Sequence, residues 1–335
     1  MASLLRPSLS DDAPQIVELL SRVFSVSPSS PFLTPAHLRW KYWDPRADWS
    51  GARSMVMEKD GRITAHVGLW PVTLRTPDGV RRGVQMIDWA SDPRAPGAGV
   101  SLLQRLTKEF DFVYSIGGSD ITQAILPKFG FETVTTAPMF ARPIRPWRKM
   151  RHQRPRDARL PLRAARDIMW SMMPARPSLS GWEAVETRAE ALVVPGGERD
   201  GAFVEYLERC PLARIVGFQI LRQGTRQGCF VLSEIGRQAR LVGAWLETPD
   251  VESWCMVFCL AQDAALRRTG ASEFVARGSG DACAAGAGQA GLRIRGRKPV
   301  FLFQKRGRAN SLSLQFQLGD DDGAFLEAGD GEFLT

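Results

Sequence analysis

The sequence contains few residues of several chemically versatile types. Only three histidines and three tyrosines occur among 335 residues, and just seven of the 44 basic residues are lysines. The chain also lacks any apolar run near the ~20 residues that a membrane-spanning helix requires. Its first residues lack the apolar core of a signal peptide, so we expect a cytoplasmic protein.

Cysteine is scarce as well, and all five cysteines lie in the second half of the chain. An odd number without a secretion signal favours free thiols over a disulfide-stapled fold. Cys255 and Cys259 are one helical turn apart, but neither a Cys-x-x-Cys pair nor paired histidines accompany them. Because zinc normally takes four such ligands, we predict buried structural thiols and no metal site.

Acidic residues are concentrated at the carboxyl end of a basic chain. The net charge is +8, and residues 319–335 hold six of the 36 acids and no base. Residues 1–318 therefore carry 44 bases against 30 acids, a net charge of +14. A field of this sign favours phosphate esters, nucleotides, nucleic acid or a membrane surface as ligands.

Two segments of the chain predict similar orders of elements. The residue pattern of 1–141 predicts the element order β-α-α-β-β-β-α-β-α-β, with hairpin turns at residues 59–62 and 77–79. Residues 181–308 predict a helix, three strands, a long helix and two further strands. A meander combined with crossovers indicates an α/β (α+β) fold with a mixed sheet rather than a doubly wound one. We predict two tandem, related domains.

Two further segments lie outside these domains. Residues 142–180 include several prolines and, between positions 142 and 166, ten basic residues, which predicts a linker followed by a short helix. The linker is either a solvated connection or a basic surface for an anionic substrate or peripheral membrane contact across 142–173. In the second case Met169, Trp170, Met172 and Met173 form its apolar face. We do not expect nucleic acid as a partner, because no aromatic-interleaved basic motif is present.

The acidic tail, residues 309–335, also leaves two alternatives open. It is either solvated or docked onto the basic body of the protein. Aromatic and aliphatic residues are interspersed with its acids, which is the pattern that docking requires. We expect that deleting residues 319–335 changes stability or activity.

A glycine-rich turn carries the most specific signal in the sequence. Arg94-Ala95-Pro96-Gly97-Ala98-Gly99 follows a predicted strand and precedes a predicted helix. Glycines allow close approach of a ligand, and the amides of a helix N-terminus bind phosphate. A P-loop is excluded because Val100-Ser101 follows the last glycine where Lys-Ser or Lys-Thr is required. Leu102 excludes the dinucleotide-binding pattern, which needs glycine or alanine there.

The pattern Arg-x-x-Gly-x-Gly in this order of elements resembles the acyl-CoA N-acyltransferase (GNAT) superfamily. The Gly130-Phe131 pair after a predicted helix matches a second family feature, and the resemblance covers about residues 4–140. It implies that acetyl-CoA or another acyl-CoA is the donor, with the backbone of 89–91 along the pantetheine arm and the amides of 95–100 around the pyrophosphate. The implied cofactor-binding residues are Trp89, Ala90, Ser91, Arg94, Ala95, Pro96, Gly97, Ala98, Gly99, Val100 and Ser119.

The sequence departs from the family in its catalytic equipment. Leu126 stands where the family often has a tyrosine general acid, and Ser119 stands where asparagine is common. Ser119 and Tyr114 are candidate substitutes. For the general base we consider Asp88, at the end of the strand before the loop, and His66, whose ordinary pKa suits the task. The alternatives are a core histidine and an aspartate that binds a backbone group or an arginine.

The second half of the chain lacks the glycine-rich loop. Residues 246–251, between a predicted strand and helix, contain no glycine. We therefore predict a degenerate second GNAT-like domain that shapes the acceptor site. The layout resembles tandem GNAT-like proteins linked to polysaccharide or envelope biosynthesis.

Together these features predict an acyl-CoA-dependent N-acyltransferase, an enzyme acting on an amine such as an amino sugar or envelope precursor. Two alternatives remain open. One is a Fem-type ligase that draws an aminoacyl group from tRNA, although an intact CoA loop argues against it. The other is a non-catalytic acyl-CoA-binding or scaffold protein, which the leucine at position 126 favours.

Overall fold

A computed structural model describes residues 3–76, 79–152, 160–172, 179–192, 194, 201–305 and 316–326. Strands in these parts of the chain are β1 (Leu4–Pro7), β2 (Ser54–Lys59), β3 (Arg62–Thr76), β4 (Gly79–Ser91), β5 (Phe112–Ile116), β6 (Glu132–Pro143), β7 (Trp182–Thr187), β8 (Arg214–Arg222), β9 (Thr225–Ile235), β10 (Gln238–Leu246), β11 (Glu273–Arg277) and β12 (Arg293–Gln304). Helices are α1 (Ala13–Phe24), α2 (Pro35–Leu38), α3 (Ala98–Glu109), α4 (Asp120–Ile125), α5 (Pro146–His152), α6 (Leu160–Met172), α7 (Gly201–Glu208), α8 (Val251–Arg268) and α9 (Asp281–Gln289).

The chain forms two compact units that are not continuous in sequence. The first comprises Met1–Thr136, Lys298–Leu314 and Asp320–Asp322, and the second comprises the remainder. The sequence assigned residues 298–308 to the second domain and all of 309–335 to a separate tail. The structure differs because β12 pairs with β5 of the first unit, with Phe301 opposite Ser115. Strand pairing depends on hydrogen bonds across the sheet rather than on proximity in sequence.

The first unit is built on a mixed sheet in the order β1-β2-β3-β4-β5-β12. The pairs from β1 to β4 are antiparallel, as the predicted meander requires, while β4 and β5 run parallel. Helix α3 buries Leu102, Leu103 and Leu106 against this sheet. The predicted mixed α/β fold is confirmed for this unit.

The two N-terminal helices differ from each other in regularity. Helix α1 buries Ile16, Leu19 and Leu20 at helical spacing and ends at Ser25, whose φ is +55°. The helix predicted over 35–42 is instead one α-helical turn, α2, followed by a π-helical turn over Arg39–Trp43. Such wide turns are rare and often lie at functional sites. This one buries Lys41 together with Trp40 and Tyr42.

The second unit contains a sheet in the order β6-β11-β10-β9-β8-β7, to which β6 contributes from Ala137 onward. Helix α8 is buried along most of its length and forms the centre of the hydrophobic core. All five cysteines are free and buried, as the sequence predicts. The searched part of the chain holds no group of three or more His, Cys, Asp or Glu arranged for a metal ion. None of its helices has the length and hydropathy needed to cross a membrane.

The segment predicted as a linker is partly built into the second unit. Arg142 is buried and its Nη1 donates to the carbonyl of Ala290 at 3.0 Å. Lys149 is also buried, 2.6 Å from a carboxylate oxygen of Glu273. A solvated connection is therefore wrong for these residues, because each cation has a buried partner. The predicted apolar residues Met169, Trp170 and Met172 lie on α6, while Met173 lies outside the described residues.

Candidate functional site

Strands β4 and β5 separate at the centre of the first unit. They pair in parallel only from Gly83 opposite Phe112 to Gln85 opposite Tyr114. β4 then continues for six residues to Ser91, while β5 pairs with β12 on its other side. The backbone groups of β4 beyond Gln85 thus have no partner in β5, although both strands are fully described. This leaves an open slot beside residues 86–91.

A β-bulge lies within that part of β4. His66 of β3 is opposite Ala90, whereas Gly68 is opposite Ile87, so Val67 faces both Asp88 and Trp89. Asp88 adopts a left-handed conformation with φ +48°, which is uncommon for a residue with a side chain. Bulges of this kind bend a strand and redirect its groups near active sites.

Asp92 fixes the turn that follows β4. Its carboxylate accepts from the backbone amide of Arg94 at 2.9 Å, from the Arg94 guanidinium at 2.8 Å and from Arg22 at 3.0 Å. The hydrogen bonds from Arg94 are the main reason that the pKa of Asp92 is held well below its usual range. The guanidinium of Arg94 is exposed and bound to Asp92, so Arg94 braces the loop as well as giving it positive charge.

The loop opens directly into α3. Gly97 precedes the helix with φ +87°, a conformation that glycine adopts without strain. A Cβ on Gly99 would lie 3.1 Å from Cβ of Ser91, a tight approach that glycine avoids. The Trp89 indole donates to the carbonyl of Gly99 at 3.1 Å and ties β4 to the helix.

The predicted phosphate-binding amides divide into two sets. The amides of Ala95 and Ala98 donate to the carbonyls of Asp92 and Ala95 within the turn, and Pro96 has no N–H. Helix geometry leaves the amides of Gly97, Gly99 and Val100 without an intrahelical acceptor. These three are the donors that the loop can offer to an anion at the positive end of the α3 dipole.

Ser119, which the resemblance implies as a cofactor-binding residue, makes a helix-capping contact in the structure. It is the N-cap of α4, and its Oγ accepts from the backbone amide of Thr122 at 3.3 Å. Of the two candidate general acids, Ser119 thus caps α4 and Tyr114 is bonded within the protein, while Leu126 at the usual tyrosine position has no proton to donate. Leu126 is fully buried, and the Tyr114 hydroxyl donates to the carbonyl of Asp320 at 2.7 Å.

A buried cluster of charges surrounds the bulge. Nζ of Lys41 lies 2.5 Å from Oδ2 of Asp88, and it also contacts the carboxylate of Asp322. The Tyr42 hydroxyl donates to the same oxygen of Asp88 at 2.5 Å. One ammonium and two carboxylates give the cluster a formal charge of −1. The side chains of Asp88 and Asp322 are 9% and 11% exposed, so each keeps a small solvent-accessible area.

The members of this cluster shift each other's pKa values. Burial alone would lower the pKa of Lys41, but the carboxylates of Asp322 and Asp88 outweigh burial and raise it. Burial opposes ionisation of Asp88, yet Lys41 and Tyr42 together lower its pKa. Burial, with the nearby charge of Asp88, raises the pKa of Asp322 in spite of Lys41. Asp88 is therefore the fixed anion, and Asp322 is the carboxylate more able to accept a proton.

His66 lies beneath the bulge, fully buried. Its Nδ1 is 3.0 Å from the carbonyl of Asp88, and its Nε2 is 2.8 Å from Oγ of Ser54. Since a carbonyl only accepts, Nδ1 carries the proton and Nε2 accepts from the serine. Burial is the main reason that the pKa of His66 is lowered to about 4. The geometry matches the core-histidine alternative, in which the ring braces the backbone of Asp88.

Sequence reasoning missed Lys41, Tyr42 and Asp322. A faint signal existed for Lys41, because it is one of only seven lysines and stands in the apolar run Trp40-Lys41-Tyr42-Trp43. Asp322 lies 281 residues further along the chain, so no local pattern connects the two.

At the corresponding place in the second unit, the described residues have neither an uncapped N-terminus on α8 nor an open slot beside β10, the strand before it. The N-cap of α8 is Asp250, whose carboxylate accepts from the amide of Ser253 at 2.8 Å and places a negative charge at that helix end. The side chain of Gln317 bonds both backbone groups of Ala244 in β10, and Gln317 forms a β-bridge with Gly278 after β11. Gln317 therefore occupies the position beside β10 that corresponds to the open slot beside β4.

Comparison with known proteins identifies a domain family and a fold with which this geometry agrees. The model of the acetyltransferase (GNAT) domain family matches residues 5–115. The chain has a tandem GNAT fold. A tandem GNAT protein from the clavulanic acid biosynthesis pathway superposes with a TM-score of 0.57 at 12% identity, covering 92% of this chain and all of that one. None of the curated proteins matches this sequence.

Two other solved structures are also similar to the chain. Saccharomyces cerevisiae N-myristoyltransferase with bound myristoyl-CoA matches with a TM-score of 0.58 at 11% identity over 92% of this chain and 80% of that one. A GCN5-related N-acetyltransferase from Anabaena variabilis matches with a TM-score of 0.54 at 13% identity, covering 90% and 72%. The slot, bulge and loop all lie in the part of the tandem GNAT fold that the family model matches.

Proposed function

We propose that the protein is an acyl-CoA-dependent N-acyltransferase whose first unit binds the donor and whose second unit does not. The observation that carries this proposal is the open slot beside residues 86–91, which leads to the uncapped N-terminus of α3. Phosphate groups of CoA would accept from the amides of Gly97, Gly99 and Val100. The edge of β4 at Trp89, Ala90 and Ser91, which β5 does not pair, would bind the pantetheine arm, and the thioester would lie toward the bulge.

The charge cluster supports an amine as the acceptor. A formal charge of −1 beside the slot attracts an ammonium group, and both carboxylates keep a small solvent-accessible area. Asp322 accepts one proton from the ammonium, directly or through water, because its pKa is raised. The neutral nitrogen then attacks the thioester carbon, the C–N bond forms and the C–S bond breaks. The second proton of the nitrogen ends on the departing sulfur, and Asp322 returns its proton to solvent.

In this scheme Asp88 and His66 hold neighbouring groups in position and do not transfer protons. Asp88 stays ionised and holds Lys41 and Tyr42 in place, while His66 braces the bulge from below. We retain amino sugars and envelope precursors as the first acceptors to test, since both present primary amines. The acyl group to test first is acetyl, followed by longer chains.

A turnover assay tests the proposal. Release of the CoA thiol is measured with acetyl-CoA and longer acyl-CoAs against a panel of amino sugars, amino acids and peptide amines. Amine-dependent thiol release, lost in Asp322→Asn, supports the enzyme. Acyl-CoA binding without turnover on any acceptor would instead favour a binding protein. The second outcome has a specific basis, because Leu126 and Tyr114 provide no free hydroxyl to protonate the sulfur.

A further inference from the structure

Helix α6 in the second unit has an apolar face that points outward. It buries Ala164, Asp167 and Trp170, but Leu162, Met169 and Met172 are 74%, 60% and 75% exposed. Positions 162, 165, 169 and 172 follow helical spacing, so they form one continuous stripe. A water-facing stripe normally carries charged side chains, whereas this one consists of leucine, alanine and methionine.

Cationic side chains lie next to α6. The guanidinium groups of Arg293 and Arg295 lie 4.7 and 5.7 Å from the ring centre of Trp170, and both arginines are exposed. Arg166, on α6 itself, is partly exposed and forms an ion pair with Asp167. Helix α5 packs against α6, and its Trp147 is 65% exposed beside the exposed Arg148. Residues 142–172 contain ten bases and two acids.

We propose that α6 and Trp147 dock onto an anionic lipid bilayer, with the stripe entering the interface and the arginines contacting headgroups. Methionine, leucine and tryptophan with flanking arginines match the chemistry of interfacial helices. Arginine stems cover apolar surface while their charges stay in water, which suits a rim at the headgroup level. This proposal is independent of the acyl-transfer chemistry, since all of its residues belong to the second unit.

The bilayer explains the surface better than a second copy of the chain does. A two-fold interface sets the same patch against itself. The arginine rims of the two copies would then face each other, and like charges across an interface oppose association. Nucleic acid would satisfy the arginines but would leave the methionine and leucine side chains without apolar cover.

Vesicle co-sedimentation of the full chain tests the proposal. We expect binding to vesicles of phosphatidylcholine mixed with phosphatidylglycerol, with much weaker binding to phosphatidylcholine alone and a decrease with added salt. Met169→Ser/Met172→Ser should lower the partition coefficient by about tenfold or more, because each methionine loses its apolar transfer energy. Arg293→Gln/Arg295→Gln should selectively weaken binding to the anionic vesicles.

Leu9→Ser is the matched control, because Leu9 is 62% exposed in the first unit and should leave vesicle binding unchanged. Melting temperatures of all variants exclude unfolding as the cause of a loss. Absence of binding by the wild type would overturn the proposal, as would equal binding by wild type and the methionine variant. Dimerisation or nucleic-acid binding that the methionine variant abolishes, without vesicle binding, would assign the face to that partner instead.

Discussion

The ammonium of Lys41 lies 2.5 Å from Oδ2 of Asp88, and the lysine side chain is 1% exposed. An unpaired buried ammonium is costly, so this pair and the second contact to Asp322 must form together with the fold. The π-helical turn provides the lysine, the bulge of β4 provides Asp88, and the carboxyl-terminal segment provides Asp322. Site and fold of the first unit are therefore interdependent.

Removing the lysine charge should destabilise the protein strongly. Lys41→Met leaves two buried carboxylates facing each other, and breaking such pairs costs about 3–5 kcal/mol. Urea unfolding measures the loss, with Lys108→Met on the exposed side of α3 as a control that should change little. Lys41→Met/Asp322→Asn should recover part of the loss. A Lys41→Met protein as stable as the wild type would contradict the assignment.

Asp322→Asn should impair turnover more than it impairs folding. The amide cannot accept the proton from the acceptor, so we expect kcat/KM to fall by about 100-fold, the typical contribution of a general base. Asp321→Asn is the matched control, because Asp321 is also buried in the same segment but is not among the carboxylates paired with Lys41. Equal activity of both variants would remove Asp322 from the mechanism.

The free energy of unfolding should decrease as the pH is lowered through the range in which a buried histidine becomes protonated. Burial lowers the pKa of His66 from 6.5 to about 4, so between these values the unfolded chain binds more protons than the folded one. Stability linked to His66 is thus fully present above pH 6.5 and is lost as pH falls toward 4, by up to about 1.4 kcal/mol per pH unit.

Substitution at His66 isolates that contribution. Burial also lowers the pKa of His37, to about 3, so the wild type should lose stability through both rings over this range. Urea midpoints at pH 7, 6 and 5 should show a smaller pH slope for His66→Gln than for the wild type. An unchanged slope would mean that His66 is not buried in the neutral form.

Truncation measures how much residues 316–326 contribute to the folded state. Phe316, Leu318 and Phe325 are buried within this segment, and losing them should cost about 5 kcal/mol or more. A chain ending at residue 315 should therefore melt well below one ending at 326, and differential scanning calorimetry compares the two. Similar melting temperatures would show that the segment contributes little to stability.

Local patterns in the sequence predicted much of the first unit, because periodicity and turn chemistry are local signals. The meander, the Gly97–Gly99 turn and the helix after it were all recognisable. The position of β12 beside β5 and the contact between Lys41 and Asp322 were not, since both join distant parts of the chain. The role of His66 was also hidden, because burial, which sequence alone does not give, determines its protonation.

Calorimetric titration with acetyl-CoA is the direct test of a CoA site at the glycine-rich loop. We expect binding by the wild type, a loss of about 100-fold in Gly97→Glu, where a carboxylate would meet the phosphates, and no change in Gly61→Glu. Gly61 is a matched control because it also has a positive φ, +73°, and open space around its Cβ position, but lies in the β2–β3 turn. Absence of binding by folded wild-type protein, or equal binding by both variants, would contradict a CoA site at the amino end of α3.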